Sequence, residues 1–319
     1  MRDLRLNSVL HRHWTDALRE NDFQKAWELS DRSLSEYCLS GAIKHAGERH
    51  FQRIWRGEDL SDKLVLVRCY HGLGDTIQFI RFAKPLREIA RKVTVWVQPE
   101  LESLIAEVDG VDQVIALHDG TPDAKFDVDI EVMELAHALR VTPQVITNSV
   151  PYLPRKPCQK QASSALSIGL VWEAGNWNNR RSAPPHLFAR LREKSDVRLF
   201  SFQQGPARDL ATTLPAEDIA TSDVTELAAR IMKMDLIITV DTMTAHLAGA
   251  LGVPVWTMLH RDCDWRWPAE GRQTIWYPTM KLFHQRKAGD WSNVMNEMVE
   301  ELKRFKRVVP ASNEISNSP

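Results

Sequence analysis

The chain has 319 residues, 43% hydrophobic and 26% charged, an ordinary globular composition long enough for two domains of roughly 100–200 residues. Its 41 Lys and Arg against 42 Asp and Glu leave a formal net charge of −1, which excludes broad attraction to nucleic acid or an anionic membrane and leaves any anionic ligand to local groups. Cys38, Cys69, Cys158 and Cys263 stand far apart with no CxxC or Cys/His ligand spacing, so neither a zinc site nor a disulfide framework is supported.

The N-terminus lacks a signal-peptide core, and no apolar run approaches the roughly 18–20 residues of a membrane span, so a cytoplasmic protein is expected. Residues 9–37 read as two amphipathic helices. Trp14, Ala17 and Leu18 form one stripe, and Phe23, Ala26, Trp27 and Leu34 form another after the polar break at Glu20-Asn21-Asp22. The spacing resembles one degenerate tetratricopeptide repeat, and a helical adaptor packed on the next domain is expected.

From Lys63 the period changes. Leu64–Val67 is a short continuous apolar run, as in a strand buried on both faces of a parallel sheet. The glycine turn Tyr70 to Asp75 follows, then a helix with Ile77, Ile80, Ala83 and Leu86 on one face. Val93–Val97 is the next strand, a helix runs from Pro99 to Ala106, and Val111–Leu117 and Phe126–Ile130 are further short strands. The Pro-rich, then small and polar stretch from Val150 to Ser164 marks a linker. A second series follows: strand Ser167–Trp172, helix Pro185–Lys194, strand Val197–Phe202, helix Val224–Met232 behind an Asp223/Glu226 capping box, strand Asp235–Val240, helix Thr244–Leu251 and strand Val253–Leu259. A last amphipathic helix spans Trp291–Phe305, with a polar tail from Ala311. Several of the 11 tryptophans cluster between Trp256 and Trp291 and suggest a flat aromatic wall. Two such sheets place their strand ends face to face, so the cleft between them is the expected site.

Three segments carry the chemistry. In His71-Gly72-Leu73-Gly74-Asp75-Thr76 the glycines permit a tight turn and close backbone approach, with Gly72 and Gly74 as ligand contacts. Asp75 reads either as the cap of a helix beginning near Thr76 or as a general base aimed into the cleft. In Ile237 to Pro254, a strand ending at Asp241 runs straight into a helix opened by Thr242, Met243 and Thr244, whose free N–H groups and positive dipole end suit a diphosphate. His246 reads as an anion or ribose contact, or as a packed histidine; Asp241 reads as a diphosphate contact or an N-cap. In Val171 to Ser182, a strand end leads into a polar loop with Asn176, Arg180 and Arg181; one arginine is expected to neutralise the diphosphate in place of a metal. Gln203, in the turn Ser201-Phe202-Gln203-Gln204-Gly205, is a further nucleotide contact. The segment Asp262-Cys263-Asp264-Trp265-Arg266-Trp267 is dense in charge and aromatic area, with stacking and packing both open.

Together these segments resemble glycosyltransferase family 9, the ADP-heptose:lipopolysaccharide heptosyltransferase superfamily, and specifically the branch in which such a domain follows tetratricopeptide repeats. The resemblance rests on His71 to Phe79, Gly169 to Asn176 with Arg180 to Ser182, Asp241 to Ala250, and Asp264 to Trp267 with Trp276 to Thr279. It implies an α/β GT-B fold: two Rossmann-like domains facing a cleft, with a short helical extension in front. The corresponding division is residues 1–60 (helical extension), 61–160 (acceptor domain), 161–308 (nucleotide-sugar domain) and 309–319 (disordered tail). The resemblance further implies metal-independent glycosyl transfer with Asp75 as base, and donor diphosphate contacts at Asp241, Thr242, Met243, Thr244 and His246. Arg180 or Arg181 stands where heptosyltransferases carry lysine. A nucleotide-sugar donor and an acceptor hydroxyl are the implied partners, with no cofactor, no metal and no nucleic acid. The competing readings are a non-catalytic nucleotide-sugar sensor or scaffold, and a nucleotide-sugar epimerase or hydrolase on the same architecture.

Overall fold

The computed structural model describes residues 8–39, 55–155, 164–175 and 178–306. Part of the expected linker, the polar tail and Asn176 lie outside them. Strands β1 (Leu64–Arg68), β2 (Lys92–Val97), β3 (Gln113–Ala116) and β4 (Val128–Glu131) form one sheet in the order β3-β2-β1-β4. Strands β5 (Leu166–Val171), β6 (Val197–Ser201), β7 (Ala216–Asp218), β8 (Leu236–Val240), β9 (Val255–Leu259) and β10 (Met280–His284) form a second, in the order β10-β9-β8-β5-β6-β7. Every pairing is parallel. Counted from β5, the second order is that of the doubly wound dinucleotide-binding sheet, whose chain reverses direction between the first and fourth strands. That switch point lies between β5 and β8, with Ile168 opposite Leu236 and Val171 opposite Thr239. The first sheet has its own switch between β1 and β4, where Val67 faces Ile130. The fold is the α/β, GT-B-like arrangement expected.

The apolar runs become central strands for the reason that predicted them. β8 and β9 are buried at every residue and β1 at all but its first, so no polar face is needed. Strands β7 and β10 were not anticipated: the first has only three residues and the second, Met-Lys-Leu-Phe-His, carries polar residues at an edge of the sheet. Pro185–Glu193 is a 3-10 helix rather than an α-helix. Only half of the expected capping box forms. Asp223 accepts from the N–H groups of Thr225 and Glu226, whereas Glu226 turns to Thr221 Oγ1 and Arg230.

The N-terminal helices Ser8–Arg19 and Phe23–Leu39 pack as an adaptor touching both halves. Trp27 Nε1 donates to the Val141 carbonyl at 2.9 Å on one side, while Arg19 donates to the Cys263 carbonyl at 2.7 Å and Trp14 sits 5.0 Å from Trp265 on the other. The expected flat aromatic wall is internal packing instead. Trp256, Trp267, Trp276 and Trp291 are all buried, because large rings contribute most when removed from water on both faces.

The two halves meet where helix Leu73–Phe79, after β1, lies against helix Met243–Ala250, after β8. A glycine permits the approach: a Cβ on Gly74 would stand 2.9 Å from His246 Cδ2 of the other half. Within the second half, a Cβ on Gly249 would stand 2.5 Å from the ring of the fully buried Tyr277. Gly249→Ala therefore overpacks the core of the second half, and an unfolding titration is expected to show a loss of about 1–3 kcal/mol; an unchanged midpoint would mean that the Tyr277 ring has room to shift.

Candidate functional site

At the meeting of the two sheets' carboxyl ends lies a cavity of about 750 Å³. Its wall brings together Gly72, Gly74, Asp75, Arg181, Gln203, Asp241, Thr242, Met243, Thr244 and His246, most of the residues singled out from the sequence. Arg180 does not join them. Its side chain is 73% exposed and faces Asp262 at 3.5 Å, while Arg181 turns inward and donates through a guanidinium N–H to the Asp241 carbonyl at 2.9 Å. The turn Asn179–Arg181 sends the two consecutive side chains in different directions, Arg181 to the cavity wall and Arg180 to solvent.

The helix after β8 starts at Met243, with Thr242 as its N-cap residue in extended conformation. Neither Thr242 nor Asp241 caps it with a side chain. Thr242 Oγ1 pairs with Thr239 Oγ1 at 3.0 Å, and no side-chain hydrogen bond closes the first turn. First-turn N–H groups left without a side-chain cap are the donors to which an anion binds.

The other helix begins at Leu73, earlier than expected, so Asp75 sits inside its first turn rather than at its cap. One carboxylate oxygen, Oδ2, accepts from the Gly72 N–H at 3.0 Å, and Oδ1 pairs with Arg266. Arg266 is the main site residue that the sequence reading missed. Its guanidinium is 8% exposed and also contacts Asp264 at 2.8 Å and Gln78 Oε1 at 2.6 Å. The alternation of charge and indole in Asp264 to Trp267 was the available signal: Trp265 lies under the guanidinium, 4.6 Å from ring centroid to Cζ, so packing and polar function are served by one segment.

Gln203 lines the cavity, yet its amide is committed to the backbone. Oε1 accepts from Trp172 N–H at 3.0 Å and Glu173 N–H at 2.9 Å, and Nε2 donates to the Gln204 carbonyl at 2.8 Å. It holds the end of β5 open.

The electrostatics are uneven. The wall carries five carboxylates (Asp75, Glu173, Asp241, Asp262, Asp264) against the guanidiniums of Arg181 and Arg266. Burial, with the charge of Asp264 beside it, pushes the Asp241 carboxyl up to about 6 even though Arg181 and Arg266 pull the other way. Burial and the surrounding Arg266, Arg81 and Arg181 hold His246 well below the usual imidazole range, so it is neutral at pH 7. Glu131, at the end of β4 and 3.5 Å from His71, is raised to about 8 by burial. Among the described residues, no group of three or more His, Cys, Asp and Glu side chains is placed to hold a metal ion. Nor is any described helix long and apolar enough to cross a membrane.

Comparison with known proteins agrees with this fold. The family model for Glycosyltransferase family 9 (heptosyltransferase) matches residues 187–276. Protein FlbA of Caulobacter vibrioides is 20% identical over 290 residues, covering 79% of this chain and 48% of that protein. The chain thus spans about half the length of that curated relative. Among solved structures, a family 9 glycosyl transferase from Veillonella parvula matches at 14% identity, covering 82% of this chain and 94% of the other with a TM-score of 0.54. The ADP-heptose lps heptosyltransferase II of E. coli matches at 12% identity, 75% and 97% coverage and a TM-score of 0.57. The iron-containing dodecameric glycosyltransferase TibC of enterotoxigenic E. coli matches at 10% identity, 77% and 78% coverage and a TM-score of 0.55.

The raised carboxyl of Asp241 has a consequence for stability. A carboxyl whose value is higher folded than unfolded contributes stability that is complete below about 4 and is lost as pH rises through its folded value. Asp241→Asn is therefore expected to raise stability by on the order of 2 kcal/mol above about pH 7 and to lose that advantage near pH 4. Urea titrations of both proteins across that range would show it; parallel stability curves would contradict the assignment.

Proposed function

We propose that this chain is a glycosyltransferase of the family 9-like superfamily that moves a sugar from a nucleotide-diphosphate sugar to an acceptor hydroxyl. Residues 161–308 would hold the donor and residues 61–160 the acceptor. The observation carrying this reading is the cavity itself, where the uncapped start of helix Met243–Ala250 and the inward Arg181 lie across from Asp75. Oriented amides and a guanidinium act on charge where it develops, which is worth most in a water-poor site. The acceptor oxygen would form its bond to the anomeric carbon while the bond from that carbon to the diphosphate oxygen breaks. The electron pair leaves with the diphosphate, and the acceptor proton passes to a carboxylate oxygen of Asp75. The reading assigns charge neutralisation to these protein groups and needs no metal ion.

A thermal-shift screen with nucleoside diphosphates and their sugars identifies the donor, since a ligand bound only by the folded form raises apparent stability. With that donor, Asp75→Asn is expected to lower kcat by about 100-fold or more while leaving diphosphate affinity near the parent value; full turnover in this variant would refute the base assignment. Saturable binding without turnover across acceptors would instead favour a sensor. Arg181→Ala is expected to weaken nucleoside diphosphate binding about tenfold, roughly 1.4 kcal/mol by calorimetry, with Arg180→Ala close to the parent protein. The reverse order would misplace the clamp.

A further inference from the structure

His246 is gripped on three sides. Trp267 stacks on its ring with centroids 5.6 Å apart and planes inclined by 21°. Gly74 of the opposite half lies against its Cδ2 and Nε2 edge, close enough that a Cβ there would clash at 2.9 Å. On the remaining edge Nδ1 is 2.9 Å from the hydroxyl of Tyr277. With Nδ1 occupied by the tyrosine, Nε2 is the nitrogen on the Gly74 and cavity side.

Behind Tyr277 stands a buried cation that the catalytic reading does not use. Arg81 is 3% exposed, with its Cζ 4.8 Å from the Tyr277 ring centroid and 4.4 Å from that of Tyr152. Arg81 donates to the Tyr152 hydroxyl at 3.0 Å, and that hydroxyl in turn donates to the Ile77 carbonyl at 2.9 Å. The Tyr152 oxygen thus already receives a strong donor. Burial outweighs the nearby Arg81 guanidinium and holds the Tyr277 phenol well above its usual range, so the hydroxyl keeps its proton and has one to donate. The Tyr277 hydroxyl faces both the Tyr152 hydroxyl and His246 Nδ1, and with the Tyr152 oxygen already taken by Arg81 the Tyr277 proton is directed to the imidazole.

We infer that Tyr277, backed by Arg81, is a positioning residue that fixes His246 in the tautomer with its proton on Nε2, so that the imidazole presents an N–H donor to an anionic group in the cavity. A neutral imidazole has one donor nitrogen and one acceptor nitrogen, and the partner of one decides the role of the other. The opposite tautomer would turn a lone pair toward the cavity and repel a phosphate oxygen. The ligand half of this inference rests on the proposed diphosphate site; the tautomer half does not.

Nitrogen-15 NMR of histidine-labelled protein separates the two halves, with His246→Asn used to assign the signals. At about pH 7.5, where the ring is neutral, His246 is expected to show a protonated Nε2 and a bare Nδ1. In Tyr277→Phe those two shifts are expected to move toward each other, and ADP, used as the probe, is expected to bind about tenfold more weakly. A parent spectrum with the proton on Nδ1 overturns the inference without any variant, and this measurement stands even where Tyr277→Phe fails to fold. A folded Tyr277→Phe with unchanged shifts and unchanged ADP affinity overturns it as well. If the spectrum is as expected but ADP does not bind the parent protein, the tautomer assignment holds and the nucleotide reading of the cavity fails.

Discussion

The arrangement depends on one close contact: the first turn after β1 resting on the first turn after β8. Each sheet alone would bring ligand-binding groups to its own carboxyl edge and leave them in water. Set against each other through Gly74 and His246, the two edges enclose a cavity walled from both halves. A residue with any side chain at position 74 would push the helices apart, and the cavity would open. The glycine is needed here for the space it leaves, since its backbone torsion is not among those in the left-handed region.

Enclosure sets the electrostatics. Groups that would titrate normally in water are brought into a poorly hydrated space where like charges interact strongly. Asp241 responds by holding its proton to about 6, and His246 by staying neutral among three arginines. Arg266 remains charged and bridges Asp75 and Asp264, carboxylates contributed by opposite halves. The same guanidinium therefore joins the halves and meets the proposed base. Removing one partner of such a buried pair leaves the other uncompensated, which costs more than the intact pair contributes.

Much of this was legible in the sequence. Continuous apolar runs ended by Asp or Gly marked the central strands and their ligand-facing ends, because a strand buried on both faces leaves little room for polar residues until it emerges. What stayed hidden depended on pairing across long separations. Arg266 and Asp75 are 191 residues apart, and no local pattern says that an arginine between two tryptophans will reach a helix in the other half. Edge strand β10 was missed because its polar residues alternate weakly. The different directions of Arg180 and Arg181 depend on a single 3-10 turn, finer than periodicity resolves. Gln203 does line the cavity, but that its amide ties down the neighbouring loop was not visible in the sequence.

For the tryptophans after β9 the sequence left stacking on a ligand and packing both open, and most of them, with Tyr277, are buried. Their effect on the site is indirect. Trp265 lies under Arg266, Trp267 stacks on His246, and Tyr277 meets the same imidazole from behind. An aromatic ring has few rotatable bonds, so a charged or hydrogen-bonding group packed against it is held within a narrow range of positions at small entropic cost. A cavity meant to act on a developing charge needs its donors fixed before the reaction begins, because donors that must reorganise lose the advantage over water. The aromatic segment provides that rigidity from behind the wall, which explains why so many large rings follow β9 while few of them face solvent.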